Sequence, residues 1–281
     1  MNYKDIKIGM ISVLYNPSEY MIKNILKNAQ GVDKLIIIDN SNDFNEKLIY
    51  EVNQTRIDFK YIPNYRNAGL AKSINKGMKI MRSLDIKWCI VLDQDSEAAN
   101  DMIKVYKEYI SKHDTEKIGI LGPQFHYDNK RIKQYDRETN KKCLMLSGNL
   151  ISIPAFIDVG GFNEGFFIDG LDIDYDYRLI EHGYRIIQCL GAVIHHCPGQ
   201  RKKISLGRIE LYYGVAEPFR YYHQARAGVY NGLCHSKIYG LKELSKKLFK
   251  IIFLFNEKKK YLRAFRRGLK DGFYWYIGKD A

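Results

Sequence analysis

The first hundred residues alternate short apolar runs with segments of helical periodicity, and this alternation limits the fold more than any other feature. Apolar residues recur at helical spacing over residues 22–29 and again over residues 70–81, which predicts two helices. Runs rich in β-branched and large apolar side chains predict strands at residues 8–14, 35–39 and 88–92, and residues 59–62 are a further candidate strand. Strands alternating with helices of this length predict an α/β fold with a parallel sheet.

Polar side chains follow three of the predicted strands. Asp39 and Asn40 come at the end of the second strand, Asn64 follows the third, and Asp93 follows the fourth. In open parallel sheets, ligands bind beyond the carboxyl ends of the strands. The sequence therefore predicts a ligand site at this edge of the sheet.

The remaining sequence is less regular and ends in a basic segment. We predict a helix at residues 102–110, a strand at 118–121 and a loop or hairpin at 127–142. Near the C-terminus, an apolar stripe opposite a lysine-rich face predicts an amphipathic helix, with stripe positions Leu241, Leu244, Leu248, Ile251, Ile252 and Phe255. We therefore expect a catalytic domain of residues 1–240 followed by a helical tail of residues 241–281.

The charge of the chain predicts an anionic partner. Lys and Arg number 45 against 32 Asp and Glu, which gives a net charge of +13. Nucleic acid, a nucleotide and an anionic lipid all fit this excess. The tail holds 12 basic and 4 acidic residues, so +8 of the charge lies there. Because the chain carries no recognisable nucleic-acid-binding motif, we expect a nucleotide or an anionic membrane surface and no nucleic acid.

Cysteine usage and hydropathy predict a cytoplasmic location. The five cysteines are scattered and form no C-x-x-C pair, which favours a reducing compartment. The N-terminal sequence predicts no signal peptide, and no apolar stretch approaches 18 residues. We expect a protein that does not span a membrane and that attaches peripherally to its inner face through the tail. The alternative for the apolar stripe is packing on the catalytic domain or within a homo-oligomer.

The sequence Asp93-Gln94-Asp95 directly follows a predicted buried strand. Two carboxylates two residues apart at a turn can face one cation, and their oxygens suit Mg²⁺ or Mn²⁺. Such a cation would bind the diphosphate of a substrate. Since Asp-x-Asp is a common sequence, a solvated turn is the alternative interpretation.

A second acidic cluster places four carboxylates within eight residues, at Asp169, Asp172, Asp174 and Asp176. Acidic residues in the first turn of a helix stabilise its dipole, and this is the structural interpretation of the cluster. The acids are embedded among Phe, Ile, Leu and Tyr, which predicts a partly buried carboxylate able to serve as a general base.

Eight stretches of the chain, taken in order, resemble the inverting glycosyltransferases of family 2, which have the GT-A fold. The resemblance is greatest to the bacterial rhamnosyltransferase-like branch, and it covers about 215 residues. The stretches are VLYNP (13–17), IIIDNS (36–41), RNAGLAKSINKGM (66–78), LDQDS (92–96), SGNLIS (147–152), GGFNEGFFIDGLDIDYDYRLIEHGY (160–184), HHCPG (195–199) and RYYHQAR (220–226).

The resemblance implies how the donor is bound. Asp39 matches the acid that hydrogen-bonds the nucleotide base, and Asn67 and Gly69 match a turn near the sugar nucleotide. Asp93 and Asp95 match the carboxylates that bind the ribose and the metal, with Asp95 nearer the metal. The implied cofactor is Mn²⁺ or Mg²⁺.

The resemblance also implies a base and a further metal ligand. Asp172 matches the aspartate of the acidic base motif, and Asp174 takes the next acidic position. The family motif has a Glu before this aspartate and this chain does not, so the base is either Asp172 or Asp174, with Asp172 favoured. His196 matches a histidine that completes the metal shell, and the adjacent His195 is its rival.

The implied activity is metal-dependent transfer of a hexose from a UDP- or dTDP-sugar to a saccharide, lipid-linked or protein-linked glycan. A single displacement would invert the anomeric centre, and the setting would be bacterial surface glycan assembly. A catalytically silent scaffold and a basic nucleic-acid-binding protein are the alternatives. The retained Asp93, Asp95 and Asp172 argue against the scaffold.

Overall fold

The computed structural model describes residues 5–126, 138–196, 201–206 and 209–278. The chain divides into two compact units. The first comprises Met1–Gly165 and Tyr175–Cys197, and the second comprises Phe166–Asp174 and Pro198–Ala281. Residue 240, where we predict the catalytic domain to end, lies inside a helix of the second unit, and the division into a catalytic domain and a tail stays a prediction.

The first unit is built on a sheet of nine strands among the described residues. They are β1 (Ile8–Leu14), β2 (Lys34–Asp39), β3 (Phe59–Pro63), β4 (Trp88–Asp93), β5 (Ser96–Ala98), β6 (Ile118–His126), β7 (Thr139–Lys141), β8 (Asn149–Ser152) and β9 (Arg185–His196). Their order is β3-β2-β1-β4-β8-β6-β9-β5, with β7 paired to β9. The first four pair in parallel, which confirms the predicted parallel sheet.

Helices connect and cover these strands. They are α1 (Glu19–Asn28), α2 (Glu46–Asn53), α3 (Leu70–Ser83), α4 (Met102–Lys112), α5 (Ile153–Asp158) and α6 (Leu171–Glu181), and the boundary between the two units falls within α6. The Ser18 hydroxyl accepts a hydrogen bond from the Met21 N–H and caps α1, and Ile22 and Ile25 on its inner face are buried. The predicted helices at 70–81 and 102–110 are confirmed as α3 and α4.

The core of the first unit lies where the helices pack on the central strands. Ile11 on β1 pairs with Ile36 on β2 and with Val91 on β4, and all three side chains are buried. A central parallel strand is covered on both faces, which explains why these runs are continuously apolar rather than alternating. The predicted strand at 118–121 is the start of β6. Most of the predicted loop at 127–142 lies outside the described residues, and β7 falls at its end.

The second unit contains a hairpin and three helices. They are β10 (Arg201–Leu206), β11 (Ile209–Gly214), α7 (Pro218–Cys234), α8 (Lys237–Leu254) and α9 (Lys258–Tyr276). Glycines let the helices approach closely, since a Cβ on Gly268 would lie 2.3 Å from the Tyr222 carbonyl oxygen. A Cβ on Gly240 would lie 2.6 Å from Gly232 Cα. The buried cluster of this unit comprises Tyr221, Ala225, Ile251, Phe255, Tyr261 and Phe265.

The predicted amphipathic tail is helical, but its apolar stripe does not form one buried face. Ile251 and Phe255 are buried, whereas Leu241 and Ile252 are exposed. Gly240 lies against α7, so the buried face of α8 contains Gly240, Leu244 and Ile251. The adjacent Leu241 points outward. Among the described residues, no helix is both long and apolar enough to cross a membrane.

Candidate active site

The carboxyl ends of β1, β2, β3 and β4 lie side by side at one edge of the first unit, because these strands are parallel. Asn16 (φ 45°) and Tyr65 (φ 51°), which follow β1 and β3, adopt the left-handed conformation and turn the chain sharply. The Asn16 N–H donates to Ser41 Oγ at 2.8 Å, which joins the loops after β1 and β2. We call residues 15–16, 39–41, 64–69 and 93–96 the strand-end edge.

Asp39 is buried at this edge, with a hydrogen bond to each carboxylate oxygen. The Tyr61 hydroxyl donates to Oδ2 at 2.9 Å, and the Ser41 N–H donates to Oδ1 at 2.8 Å. Burial, with the Asp39 charge adding to it, raises the pKa of Tyr61 to about 12, so this phenol stays a donor at neutral pH. Each carboxylate oxygen has two lone pairs and can accept a second donor, such as the N–H of a nucleotide base.

Asn40 connects the loop after β2 to the turn that precedes α3. Its side-chain oxygen accepts from Asn64 Nδ2 at 2.8 Å and lies 3.0 Å from Ser73 Oγ. In the turn itself, Asn67 Oδ1 accepts from the Gly69 N–H at 3.2 Å, and Gly69 has φ 84°, which favours glycine. The structure therefore brings Asn67 and Gly69 to the same edge as Asp39.

Asp93, Gln94 and Asp95 form the end of β4 and the tight turn into β5. The Asp93 N–H donates to Ser147 Oγ at 3.1 Å. Gln94 accepts from the Tyr15 N–H at 3.0 Å and donates to the Tyr15 carbonyl at 3.3 Å, which ties the turn to the end of β1. Asp95 is exposed at the tip of the turn.

The far side of the same turn is fixed by buried side chains of the first unit. The Ser96 carbonyl accepts from Asn24 at 2.6 Å and from Asn28 at 2.8 Å, both on α1. Ser96 Oγ bonds Ser147 Oγ at 2.8 Å and is buried. Because hydrogen bonds hold both ends of the turn, the Asp95 carboxylate is presented to solvent from a rigid support.

The pairing of β5 with β9 places His196 opposite Ser96 and His195 opposite Glu97. The backbone of His196 therefore lies beside the turn that carries Asp95. The His195 ring is exposed and contacts His126, with their Nδ1 atoms 3.3 Å apart. Among the side chains that the structure describes, no three His, Cys, Asp or Glu are grouped to hold a metal ion. The metal ligands Asp93, Asp95 and His196 stay a prediction.

The acidic segment, which we define as residues 166–174, belongs to the second unit and leads into α6. Asp169 (φ 59°) and Gly170 (φ 83°) adopt the left-handed conformation just before the helix. A Cβ on Gly170 would lie 2.7 Å from Ala227 Cβ, so only glycine fits against α7 here. The Asn231 side chain donates to the Gly170 carbonyl at 2.9 Å.

One side of α7 anchors this segment along its length. The Arg220 guanidinium donates two hydrogen bonds to the Asp169 carboxylate, at 2.5 and 3.1 Å. The His223 ring stacks on Phe167, with ring centroids 5.1 Å apart. Burial lowers the pKa of His223 to about 4, so the ring is neutral at pH 7. Beyond the end of α7, His235 Nε2 lies 2.9 Å from Asp174 Oδ1, and Asp174 is buried.

Asp172 differs from Asp174 in its surroundings. It is only partly buried, and its Oδ1 accepts from the adjacent Ile173 N–H at 3.0 Å. Burial raises the pKa of Asp172 to about 6, and the negative charge of Asp169 adds to this effect. A carboxylate with this pKa is ionised at pH 7 and is more basic than an ordinary aspartate, which suits a general base.

Several residues of these sites were not predicted from the sequence. The partners of Asp39 and Asp174, which are Tyr61 and His235, lie 22 and 61 positions away along the chain. A tyrosine within the third strand was the one sequence signal for Tyr61. Arg220 lies within the RYYHQAR stretch, but nothing in that stretch pointed to Asp169.

The chain belongs to glycosyl transferase family 2, because the model of that family matches residues 15–167. The match takes in the whole strand-end edge. The protein is therefore a glycosyltransferase.

Curated relatives indicate the branch of the family. The chain is 23% identical over 239 residues to the dTDP-rhamnosyl transferase RfbF of Shigella flexneri, which covers 78% of this chain and 77% of RfbF. It is 25% identical over 240 residues to the low-salt glycan biosynthesis hexosyltransferase Agl10 of Haloferax volcanii, covering 76% and 73%. These relatives support the rhamnosyltransferase-like branch.

Solved structures agree on the fold. GalNAc-T7, crystallised with UDP, GalNAc and Mn²⁺, matches with a TM-score of 0.62 at 13% identity, over 97% of this chain and 57% of that chain. The chain thus spans just over half of GalNAc-T7. Residues 1–349 of S. aureus TarS, in complex with UDP-GlcNAc, match with a TM-score of 0.59 at 12% identity, over 96% and 84%. These matches confirm the GT-A fold.

Proposed function

We propose that this protein transfers a hexose from a UDP- or dTDP-sugar to a hydroxyl group of a glycan or lipid-linked saccharide, with inversion at the anomeric carbon. The observation that carries the proposal is the acidic turn Asp93-Gln94-Asp95, held by hydrogen bonds at the same edge of the sheet as the buried Asp39, with β1 between the two. The dTDP-rhamnosyl transferase RfbF and the UDP-GlcNAc complex of TarS support a nucleotide-sugar donor.

The donor would be recognised by the strand-end edge. Asp39 accepts an N–H of the nucleotide base, and the Asn67–Gly69 turn contacts the sugar nucleotide. Asp93 accepts from the ribose hydroxyl groups. Hydrogen bonds hold the Asp39 carboxylate and the Asn67–Gly69 turn, and another fixes the backbone of Asp93, so little ordering is needed when the donor binds.

The donor set of the strand-end edge fits a divalent cation. Asp95 and Asp93 supply carboxylate oxygens from one rigid turn, and the strand register brings the backbone of His196 beside them. We propose that these three residues hold Mn²⁺ or Mg²⁺. A bound cation there would neutralise the charge that develops on the leaving diphosphate.

The base in this proposal is Asp172. Its ionised carboxylate accepts the proton of the acceptor hydroxyl while that oxygen attacks the anomeric carbon, and the bond to the diphosphate breaks with its electron pair on the phosphate oxygen. One displacement on the opposite face inverts the centre. Asp174 supports α6 through His235 rather than reacting, because its Oδ1 already bonds that ring in a buried position.

The acceptor follows from the relatives and not from a contact in this chain. Agl10 is named for glycan biosynthesis, and RfbF is a rhamnosyl transferase. We propose a saccharide acceptor, free or lipid-linked, in the assembly of a bacterial surface glycan.

The proposal is tested by incubating the purified chain with a panel of UDP- and dTDP-hexoses, with Mn²⁺ or Mg²⁺, and measuring release of the nucleoside diphosphate. We expect one donor to be consumed, with release stopped by EDTA. NMR of the glycoside formed should show the inverted anomer. Release from no donor, or a product of retained configuration, would contradict the proposal. Asp172→Asn serves as the inactive control.

A further inference from the structure

Helix α8 has two apolar faces, and only one of them is buried. Gly240, Leu244 and Ile251 lie on the face that packs within the second unit. A surface helix of a globular protein ordinarily carries a single apolar stripe, which faces the core. The second face is therefore not explained by the packing of this unit.

The second face is broad and open to solvent. Ile238 is 83% exposed, Leu241 70%, Phe249 56% and Phe253 64%, and Leu248 and Ile252 are exposed beside them. These six residues recur at helical spacing and lie on one side of α8. Phe249 and Phe253 contact each other with ring centroids 4.7 Å apart. Several large apolar side chains exposed on one side of a helix are typical of an interaction site. We call these six residues the outer face of α8.

Basic residues border the outer face. Lys242 and Lys246 are exposed and lie next to Phe249 and Phe253 around the helix, and Lys258–Lys260 begin α9 four residues after α8 ends. Glu243 is the one acidic residue in the sequence of α8, and it pairs with Lys246 at 3.6 Å. Lys260 also pairs with Glu257, at 2.8 Å, and the remaining lysines leave the surroundings of the outer face with a net positive charge.

The positive charge around the outer face favours an anionic lipid surface over a second copy of the chain as its binding partner. If a second copy of the chain covered it, the lysines of both copies would border the same interface and repel each other. An anionic lipid surface instead neutralises these lysines, whose long stems lie along the apolar surface while the ammonium groups reach the headgroups. The face also suits a helix lying in the interface, because the sequence of α8 combines this apolar face with five lysines.

We propose that the outer face of α8 binds an anionic lipid bilayer. The helix lies parallel to the membrane, with Phe249 and Phe253 inserted at the boundary between headgroups and acyl chains and with Lys242 and Lys246 on the phosphates. The proposal rests on the exposure and charge of α8 and not on the proposed glycosyl transfer.

The test is co-sedimentation of the full chain with vesicles of phosphatidylcholine alone or of phosphatidylcholine with phosphatidylglycerol. We expect the wild type to pellet only with the anionic vesicles and to be released as salt is raised. The double variant Phe249→Ser/Phe253→Ser should bind at least about tenfold more weakly, since it loses its inserted apolar groups. Lys242→Gln/Lys246→Gln should bind about 25-fold more weakly, about fivefold for each lysine.

A matched control removes two exposed aromatic side chains of the first unit. Tyr20→Ser/Tyr50→Ser changes residues on α1 and α2 as exposed as those of the outer face, and this variant should bind vesicles like the wild type. All variants should melt at the wild-type temperature, because the altered side chains are exposed. Nucleotide release with a soluble acceptor should also be unchanged in the outer-face variants.

Two results would overturn the proposal. One is equal binding of anionic vesicles by the wild type and by Phe249→Ser/Phe253→Ser. The other is a wild-type protein that does not bind anionic vesicles. If that protein is a dimer by light scattering and Phe249→Ser/Phe253→Ser is a monomer, the outer face binds a second copy. Loss of vesicle binding together with unchanged nucleotide release separates this proposal from the proposed function.

Discussion

The strand-end edge of the first unit and the acidic segment of the second are held in place by different means. At the edge, the backbone positions the residues, because the parallel strands end together. Hydrogen bonds between neighbouring loops then hold the segments that carry Asp39 and the Asp93–Asp95 turn. The acidic segment has two residues with positive φ, and side chains of α7 fix its conformation. Sites of the first kind follow from secondary structure, whereas sites of the second kind depend on tertiary packing.

Asp95→Ala should produce the largest loss of activity, because in our proposal the Asp95 carboxylate binds the cation that neutralises the diphosphate. If Asp95 binds the cation as we propose, transfer should be abolished in Mn²⁺ or Mg²⁺ and donor binding should weaken, as measured by nucleotide release and calorimetry. Glu97→Ala is the matched control, since Glu97 lies two residues away and forms a surface ion pair with Lys27. Unchanged turnover in Asp95→Ala, or full activity in EDTA, would contradict the metal role.

Asp172→Asn should reduce turnover roughly a hundredfold or more, the usual scale for a lost general base, with donor affinity nearly unchanged. Asp174→Asn should have a much smaller effect, because the amide oxygen of Asn can still accept from His235. Single-turnover kinetics and donor titration measure both quantities. If Asp174→Asn instead showed the large loss, the assignment of the two aspartates would be reversed.

Gly268→Ala should destabilise the second unit. The new Cβ would lie too close to the Tyr222 carbonyl oxygen, a backbone atom that cannot move freely. Overpacking of this kind costs about 1–3 kcal/mol, measurable by thermal or urea unfolding. Gly214→Ala, in the same unit, is the control, since a Cβ there meets nothing within 4 Å. Equal stability of the two variants would mean that α7 and α9 do not pack this closely.

Tyr61→Phe should have an effect on stability no larger than that of Gly268→Ala. It removes the hydrogen bond to Asp39 and leaves that buried carboxylate with one donor fewer, at a cost of about 1–3 kcal/mol to the unfolding free energy. We expect donor affinity to fall together with stability, because Asp39 loses part of its orientation. A variant with wild-type stability and affinity would show that backbone contacts alone hold Asp39.

Much of the strand-end edge could be predicted from the sequence. Three of the four strands, β1, β2 and β4, are buried and almost continuously apolar, so their ends are visible in the sequence, and the polar residues at those ends define the edge. The hydrogen bond between Tyr61 and Asp39 could not be predicted, because it depends on how two strands align. The family resemblance supplied the roles that we propose for these residues, which the pattern alone did not.

The second unit was harder to predict, for two physical reasons. The sequence pattern does not distinguish Asp172 from Asp174. In the structure Asp174 is buried and bonds His235, which lies 61 positions further along the chain. In α8, periodicity identified an amphipathic helix but not which of its apolar faces is buried. The close approach of Gly240 to Gly232 decides that, and it is a contact between two helices.

The most direct test of the account is the pH dependence of turnover in the wild type, Asp172→Asn and Asp174→Asn. Since the base must be ionised to accept a proton and the pKa of Asp172 is raised to about 6, wild-type turnover should fall as pH is lowered through about 6. This acid limb should persist in Asp174→Asn and disappear from the low residual activity of Asp172→Asn. An acid limb that remains unchanged in Asp172→Asn would contradict its role as the base.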